Sequence, residues 1–148
     1  MKYEAVIFDL FRTLVDNFSA REYESVLMQM ASVLAVPYDD LARLWFDTSN
    51  ERTTGIFQNT EANIEYICRE LRVHAESTRI RLAAQVRFEY VARSMIPRAG
   101  AIEVLSYLKS EGYKTGLISD CSALVPTVWK DTPLAQLEVV SQKSLSHV

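Results

Sequence analysis

Residues 3–16 have the sequence YEAVIFDLFRTLVD, and this stretch decides the fold. Its segment 3–8 is rich in strand-forming residues, and a short continuous apolar run is typical of a parallel strand that is covered on both faces. Asp9 stands at the carboxyl end of that strand. Open α/β sheets place their chemistry in the crevice at this end. We therefore predict a first strand over 3–8 and a candidate functional residue at Asp9.

Helical spacing of apolar residues dominates the next part of the chain, where four helices are predicted. The first runs from Ser19 to about Ala35 with Ser19 and Glu22 as a capping box, the second from a cap at Asp39 or Asp40 through Phe46, the third from a cap at Thr60 to about Leu71, and the fourth from about Ala75 to Met95. The polar segment 49–59 is predicted to be a loop. We favour an inserted helical domain over crossover helices, because one crossover normally needs a single helix.

A second strand is predicted over 113–118, after a helix at 101–111 that Gly112 terminates. The second strand ends at Ser119 and Asp120, so small polar side chains again follow the carboxyl end of a strand. A short helix within 123–130 and a third strand over Leu137 to Val140 complete the predicted elements. We expect the ends of the first two strands to face one cleft.

Composition indicates an ordinary globular protein. The 148 residues carry a net charge of −3 without runs of like charge, so we expect no binding to nucleic acid or to an anionic membrane. Cys68 and Cys121 have no CxxC spacing and no histidine cluster, which argues against a disulfide framework and a structural zinc site. The N-terminal apolar run is too short to span a bilayer and lacks a signal-peptide cleavage site. We expect a cytoplasmic protein.

The order of these features resembles the haloacid dehalogenase-like (HAD) hydrolases. The first motif of that family is a hydrophobic strand followed by Asp-x-Asp-Gly-Thr-Leu, which VIFDLFRTLVD matches at Asp9, Thr13 and Leu14. The second motif, a strand that ends in Ser or Thr, matches GLIS at 116–119. The stretch PRAGAIEVLSYLKSEGYKTGLISDCS, residues 97–122, is similar to the usual link between cap and second motif. The resemblance implies an α/β fold, with a Rossmann-like parallel-sheet core formed by 1–16 and 96–148 and a helical cap formed by 17–95.

The resemblance also implies a chemistry and a set of site residues. Asp9 would be the nucleophile, because a carboxylate can attack phosphorus or carbon to give an aspartyl intermediate that water hydrolyses. Thr13 and Ser119 would donate hydrogen bonds to the transferring group or to the nucleophile. In phosphatase members Asp9 and the backbone after it would help to bind Mg²⁺. Residues expected to contact a small-molecule substrate are Phe11, Arg12 and Asp120; for Asp120, capping of the next helix is the alternative.

Phe11 and Arg12 depart from the first motif. Phosphatase members have a second Asp at the position of Phe11, which protonates the leaving group, and phenylalanine cannot transfer a proton. Members that cleave carbon–halogen bonds have an aromatic residue there, so phosphate esters and haloacids both remain open as substrates. Arg12 replaces a glycine, and its side chain is costly if the local φ is positive. It either holds an anion or is a solvated residue of a turn.

Two further family motifs, a lysine before a proline and an acidic pair, do not occur in the sequence. Lys143 is the only lysine after Lys130, and no proline follows it. We therefore expect a C-terminally truncated form that is weak or inactive. The alternative is a non-catalytic fragment or binding module that needs a partner to complete its sheet, or that self-associates through an exposed sheet edge. Arg52 and Arg98 are expected to be exposed and are candidates for steering anions.

Overall fold

The structure, a computed structural model, describes residues 4–137 and 140–141. Its helices and strands alternate in the manner of an α/β protein, with a long run of helices between the first two strands. In chain order they are β1 (Ala5–Phe8), α1 (Ala20–Leu34), α2 (Tyr38–Asp47), α3 (Ser49–Thr53), α4 (Thr60–Glu70), α5 (Ser77–Ser94), α6 (Ala101–Ser110), β2 (Lys114–Leu117), α7 (Leu124–Trp129), a 3₁₀ helix (Pro133–Leu137) and β3 (Val140–Ser141).

The strands form one parallel sheet in the order β1-β2-β3. Phe8 is paired with Leu117, and Leu117 is paired in turn with Ser141. Parallel strands require a crossover connection, and the helices α1 to α6 provide it between β1 and β2. The predicted α/β fold with a parallel sheet is thereby confirmed.

The expectation that β1 is covered on both faces is wrong. Ile7 is 63% exposed, and its partner in the register is Gly116, which has no side chain to cover it. Ile118 lies two residues beyond Gly116, hence on the same face, and is 59% exposed. Among the described residues, the helices leave this part of the sheet face open to solvent.

The third strand also differs from its prediction. Leu137 ends the 3₁₀ helix, and β3 covers only Val140–Ser141. Residues 138–139, which the prediction included, lie outside the described residues. A proline at the start of the 3₁₀ helix fixes φ near the helical value, which favours a helical turn where the apolar residues alone suggested a strand.

The helices lie close to their predicted positions, and the differences concern their N-terminal ends. Ser19 caps α1 as predicted, accepting a hydrogen bond from Glu22 N at 3.4 Å. No side chain caps α2, because the helix begins at Tyr38 and the predicted caps, Asp39 and Asp40, lie inside its first turn. Their negative charges there interact favourably with the positive end of the helix dipole. Asn59, and not Thr60, caps α4, with its Oδ1 accepting from Ala62 N at 2.8 Å.

The short helix α3 occupies part of the predicted loop 49–59. It begins directly after Thr48, whose hydroxyl donates to Leu44 O at 2.7 Å at the end of α2. One helical turn is too short to show helical periodicity in the sequence, which explains why the prediction missed it.

The helices α1 to α5 form a helical block between residues 15 and 97. Helix α5 is its central element, because it packs against α1, α4 and α7. Its buried positions follow a helical stripe: they are Ile80, Ala83, Ala84, Arg87, Tyr90 and Val91. Helix α6 packs instead against β2 and the 3₁₀ helix. The helical block therefore contacts the part of the chain that contains the sheet through the packing of α5 on α7.

The two ends of the helical block meet beside the sheet. Val15 forms an isolated antiparallel bridge with Pro97, and Arg98 N donates a hydrogen bond to Leu14 O at 2.8 Å. Leu14 and Val15 are buried. The two ends of the segment between these residues therefore lie next to each other.

The described part of the chain contains no helix with the length and apolar character needed to cross a membrane.

The Asn59 cap gives a stability prediction. Replacing Asn59 with Ala removes the acceptor for Ala62 N, and we expect the free energy of unfolding to fall by about 1 kcal/mol. Asn59→Asp is the matched control, because it keeps a side-chain acceptor at a helix N-terminus. Urea denaturation followed by circular dichroism measures both variants. An equal loss of stability in the two would show that the cap hydrogen bond does not stabilise α4.

Candidate active site at the carboxyl ends of β1 and β2

The pairing of β1 with β2 brings two predicted site residues to one edge of the sheet. Ile118 N donates a hydrogen bond to Phe8 O at 2.9 Å, which extends the parallel ladder by one step beyond Leu117. Asp9 and Ser119 are the next residues on the two strands. Their backbones therefore leave the sheet side by side, as the sequence predicted.

Asp9 is exposed, and the turn that follows it is anchored in the core. Its Oδ1 accepts a hydrogen bond from Leu10 N at 2.7 Å, while the Leu10 side chain is fully buried. The Leu10 carbonyl accepts from the backbone N–H groups of Thr13 at 3.3 Å, Leu14 at 2.9 Å and Val15 at 3.0 Å. The Asp9 carboxylate is therefore exposed to solvent at the end of β1, while the residue after it, Leu10, is fixed by burial and by these hydrogen bonds.

Arg12 occupies the left-handed region with φ 63°, the condition under which the sequence predicted a cost for a side chain. Its carbonyl accepts a hydrogen bond from Arg98 Nη1, and Arg98 Nε lies 3.2 Å from Asp16 Oδ1. Arg98 therefore joins the turn after β1 to the segment before α6. It is exposed as expected, and its role in steering anions stays a prediction.

The two predicted hydroxyl donors are placed differently. Thr13 is exposed and Ser119 is half-buried. Within the described ranges, none of the hydrogen bonds joins either hydroxyl to Asp9. The structure thus brings the backbones of these residues to one region without showing the predicted side-chain contacts.

The pKa of the Cys121 thiol depends on the charges near the ends of β1 and β2. Burial raises the pKa of the Cys121 thiol, and the negative charges of Asp120 and Asp9 raise it further. Asp120 itself is exposed. Asp120 and Asp9 thus both act electrostatically on this thiol, and because its pKa is raised the thiol is neutral at physiological pH.

Phe11 is half-buried and packs inside the molecule. Its ring centroid lies 5.1 Å from that of Phe18, and Phe18 lies 5.4 Å from Tyr90 on α5. Such separations are typical of favourable aromatic pairs. A row of rings therefore connects the turn after Asp9 with the central helix of the helical block.

Two arginines near the end of this row were not predicted as a pair. Arg87 on α5 is only 8% exposed, and its guanidinium carbon lies 5.0 Å from the ring of Tyr23 and 5.5 Å from those of Phe18 and Tyr90. The sequence contained a signal for Arg87, because it falls three and four residues after the buried Ala84 and Ala83, on the apolar stripe of its helix.

Arg52 is half-buried, so the expectation that it is an exposed side chain is wrong. Its Nη1 donates to Trp45 O and, at 3.0 Å each, to Thr48 Oγ1 and Asn63 Oδ1. Its guanidinium carbon lies 4.2 Å above the Trp45 ring. Burial lowers the pKa of Arg52, and the positive charge of Arg87 contributes to the same direction.

Metal binding at the candidate site has little support from the described side chains. Residues 4–137 and 140–141 contain no group of three or more His, Cys, Asp or Glu side chains that could hold a metal ion. Mg²⁺ prefers an octahedral shell rich in oxygen ligands, and Asp9 and Asp120 supply two carboxylates only. The residues present here do not fit the magnesium site that the motif resemblance implies.

No protein-family model and no curated protein matches the sequence. Solved structures do resemble the chain. A crystal structure described as a dehalogenase is 19% identical with a TM-score of 0.47, and the match covers 91% of this chain and 59% of that one. A hydrolase from Pseudomonas syringae is 16% identical with a TM-score of 0.41, covering 93% of this chain and 57% of that one.

A third similar structure is a predicted phosphoglycolate phosphatase from Haemophilus somnus 129pt, 14% identical with a TM-score of 0.40, for which the match covers 91% of this chain and 60% of the other. The chain thus spans less than two thirds of the length of each of these three proteins. Since the TM-scores of these three structures are below 0.5, the parallel register and the element order, and not these likenesses, support the α/β fold.

The environment of Cys121 gives a prediction with a defined sign. A raised pKa lowers the thiolate fraction, so alkylation of Cys121 by iodoacetamide at pH 8 should be slow. Asp120→Asn removes a negative charge, lowers the pKa and should accelerate alkylation; Asp9→Asn should act in the same direction. Peptide mass spectrometry separates Cys121 from the buried Cys68.

Asp131→Asn is the control for this experiment, because Asp131 is an exposed carboxylate that does not contribute to the pKa of Cys121. If Cys121 is alkylated as slowly in Asp120→Asn and in Asp9→Asn as in the wild type, the two carboxylates do not raise the pKa of its thiol.

Proposed function

We propose that the chain is a HAD-like hydrolase that acts through an aspartyl nucleophile, Asp9, on a small-molecule substrate. One observation supports this most strongly: in the parallel pairing of β1 with β2, extended by the Ile118–Phe8 hydrogen bond, Asp9 and Ser119 are the next residues on neighbouring strands, at the carboxyl edge of the sheet. Open α/β sheets bind ligands at this edge. The nature of the motif residues and their order in the sequence support the family assignment.

The proposal divides the chain into an α/β core of 1–16 and 96–148 and a helical cap of 17–95. The bridge of Val15 with Pro97 supports this division, because both ends of the proposed cap meet there. The packing of α5 on α7 supports a cap that lies against the core next to the Ser119 loop.

In the proposed reaction a carboxylate oxygen of Asp9 attacks the substrate, and the leaving group departs with the electron pair of the broken bond. Water then hydrolyses the aspartyl intermediate and restores the carboxylate. Thr13 and Ser119 donate hydrogen bonds to the reacting group once substrate is bound, and Arg12 and Asp120 contact the substrate from the exposed turns. No step is assigned to Mg²⁺.

Phe11 bears on the choice of leaving group. It cannot protonate a leaving oxygen, and its ring is already packed on Phe18. A halide needs no proton to leave. The proposal therefore favours a haloacid-type substrate over a phosphate ester, which remains the alternative.

Turnover by this chain is proposed to be weak. In the described part of the chain, none of the ion pairs involves Asp9, so its charge is not neutralised by a lysine or arginine. An uncompensated carboxylate repels an anionic substrate and is a poorer electrostatic match to the transition state.

Assays on 2-haloacids and on phosphate monoesters, with and without added Mg²⁺, test the proposal. We expect slow halide release from 2-haloacids that Asp9→Asn reduces by about 10³-fold or more, because an amide is not a nucleophile of comparable strength. Asp131→Asn, an exposed carboxylate outside the proposed site, should keep wild-type activity. Turnover that survives in Asp9→Asn would contradict the assignment of the nucleophile.

We propose self-association as a second function, favoured by the exposed face that contains Ile7 and Ile118. Both side chains are more than half exposed on one sheet face. A second copy of the chain that covered them would remove apolar surface from water, which favours association. The proposed partner is this same chain.

Sedimentation velocity tests the second function. We expect a concentration-dependent dimer that Ile7→Thr weakens by about tenfold in the dissociation constant, corresponding to the loss of about 1–2 kcal/mol of apolar burial. Ile56→Thr is the matched control, because Ile56 is 68% exposed but lies outside the sheet. A monomer at all concentrations, or equal weakening by the two substitutions, would exclude this face as the interface.

A further inference from the structure

The strand β1 has one free edge. The order of the sheet is β1-β2-β3, so among the described residues only β2 pairs with β1. Glu4 O and Phe8 O accept hydrogen bonds from backbone N–H groups at the two ends of β2, at 3.0 and 2.9 Å. Because the peptide groups of alternate residues point to the same edge of a strand, the backbone groups of residues 4, 6 and 8 face β2. Those of Ala5 and Ile7 face the opposite edge.

The backbone groups on this edge have no partner within the part of the chain that the structure describes. None of the hydrogen bonds outside the helices and strands involves Ala5 or Ile7, and the ladder with β2 uses the other side of the strand. Ala5 is exposed, and Ile7 is 63% exposed. The N–H and C=O groups of these two residues are thus left to solvent. Such a row of groups is a template for pairing with a strand of another chain.

The sequence of β1 contains none of the features that protect sheet edges. Edge strands are commonly protected by charged side chains, by proline or by a bulge. The strand has the sequence AVIF, and it pairs with β2 residue for residue without a bulge. The nearest charged residues are Glu4 and Asp9, one on each side of the strand. The edge is therefore open to pairing over the length of β1, and the flanking charges oppose its extension.

The flanking carboxylates favour antiparallel pairing of two identical edges. In a parallel pair that is in register, Glu4 lies beside Glu4 of the second copy, and like charges directly opposite each other are destabilising. In an antiparallel pair centred on Val6, Glu4 lies opposite Phe8 of the second copy, and the two Val6 residues are opposite each other. A two-fold axis perpendicular to the sheet relates these strands, so the pairing is that of a closed dimer.

The register centred on Val6 uses every free backbone group of the strand. Ala5 is then opposite Ile7 of the second copy, and each such hydrogen-bonded pair exchanges both of its N–H···O bonds. A register centred on Ile7 places Ala5 opposite Asp9 instead, which lies outside β1. The register centred on Val6 also brings Ala5 and Ile7 of the two copies together on the exposed sheet face that contains Ile118. The pairing therefore removes apolar surface from water as well as forming hydrogen bonds.

We propose that two copies of the chain associate by antiparallel pairing of their β1 strands, centred on Val6, which joins the two sheets into one. This inference rests on the self-association proposed above, and it names the segment and the register by which the copies pair. The carboxyl ends of the two β1 strands then point in opposite directions. Asp9 and Ser119 of one copy therefore lie at the opposite edge of the joined sheet from those of the other, and each candidate site is formed by one copy alone.

Disulfide crosslinking of the full chain tests the pairing. Residues of a non-hydrogen-bonded antiparallel pair have Cα atoms about 4.5 Å apart, a separation that a disulfide spans. With oxidised glutathione, Val6→Cys should therefore form about fivefold more covalent dimer than Ile7→Cys, since the two Ile7 residues are diagonal neighbours about 7–8 Å apart. The wild type, which has Cys68 and Cys121, measures the background.

Ile7→Cys is the matched control, because the side chains of Val6 and Ile7 point to opposite faces of the sheet. Two copies that stack face to face bring the Ile7 side chains together and keep those of Val6 apart. Equal crosslinking of the two variants, or more of it in Ile7→Cys, would overturn the pairing of the edges and leave association through the sheet face. A monomer at all concentrations in sedimentation velocity would overturn both.

Hydrogen exchange of the wild type keeps the test valid if Val6→Cys does not fold. At protein concentrations at which the dimer predominates, the N–H groups of Ala5 and Ile7 should exchange about tenfold more slowly than in dilute protein, because they become hydrogen-bonded. The N–H of Thr60, at the start of α4 and outside the sheet, is the internal control and should not change. Exchange of Ala5 and Ile7 that does not depend on protein concentration would contradict the pairing of the edges.

Discussion

The hydrogen bond from Ile118 N to Phe8 O, 2.9 Å long, continues a parallel ladder between two strands of only four residues each. The position of every residue in the proposed active site depends on this ladder, because Asp9 and Ser119 are separated in the sequence by the whole helical block. A parallel pair this short is not stable alone. The buried side chains of Leu10 and Leu117, together with the packing of α6 on β2, supply the stabilisation that the ladder lacks.

The sequence predicted those parts of the molecule that a local pattern determines. Apolar periodicity located α1, α5 and α6, and the two apolar runs located β1 and β2 with Asp9 and Ser119 after them. It placed the cap of α4 at Thr60, which is wrong by one residue, because Asn59 and Thr60 are both residue types that cap helices. It also assigned two covered faces to β1, whereas the exposure of Ile7 depends on which helices reach the sheet, and no local pattern specifies that. The environment of Arg87 is likewise a product of long-range packing, although its place on an apolar stripe was visible.

Arg12 shows how a local cost is compensated by a contact between distant segments. A non-glycine residue with φ 63° is destabilising by about 1 kcal/mol or more. The carbonyl of this residue accepts a hydrogen bond from Arg98, which is held in turn by Asp16. The same short stretch contains the Val15–Pro97 bridge, so the interactions that fix the turn after Asp9 also join the two ends of the helical block. The turn after Asp9 and the contact between the two ends of the helical block are therefore stabilised by one set of interactions.

Phe11 extends this coupling to the interior of the helical block. Where the motif resemblance has a proton-donating carboxylate, this chain has a ring that packs 5.1 Å from Phe18, and Phe18 lies 5.5 Å from the guanidinium carbon of Arg87. An aspartate could not make the apolar contact, and its charge would be buried at a cost. At this position the chain thus has no proton donor, and it has instead an aromatic ring that connects the turn after β1 with α5 through Phe18. A leaving group that needs no proton, as in the proposed haloacid reaction, is compatible with a phenylalanine at this position.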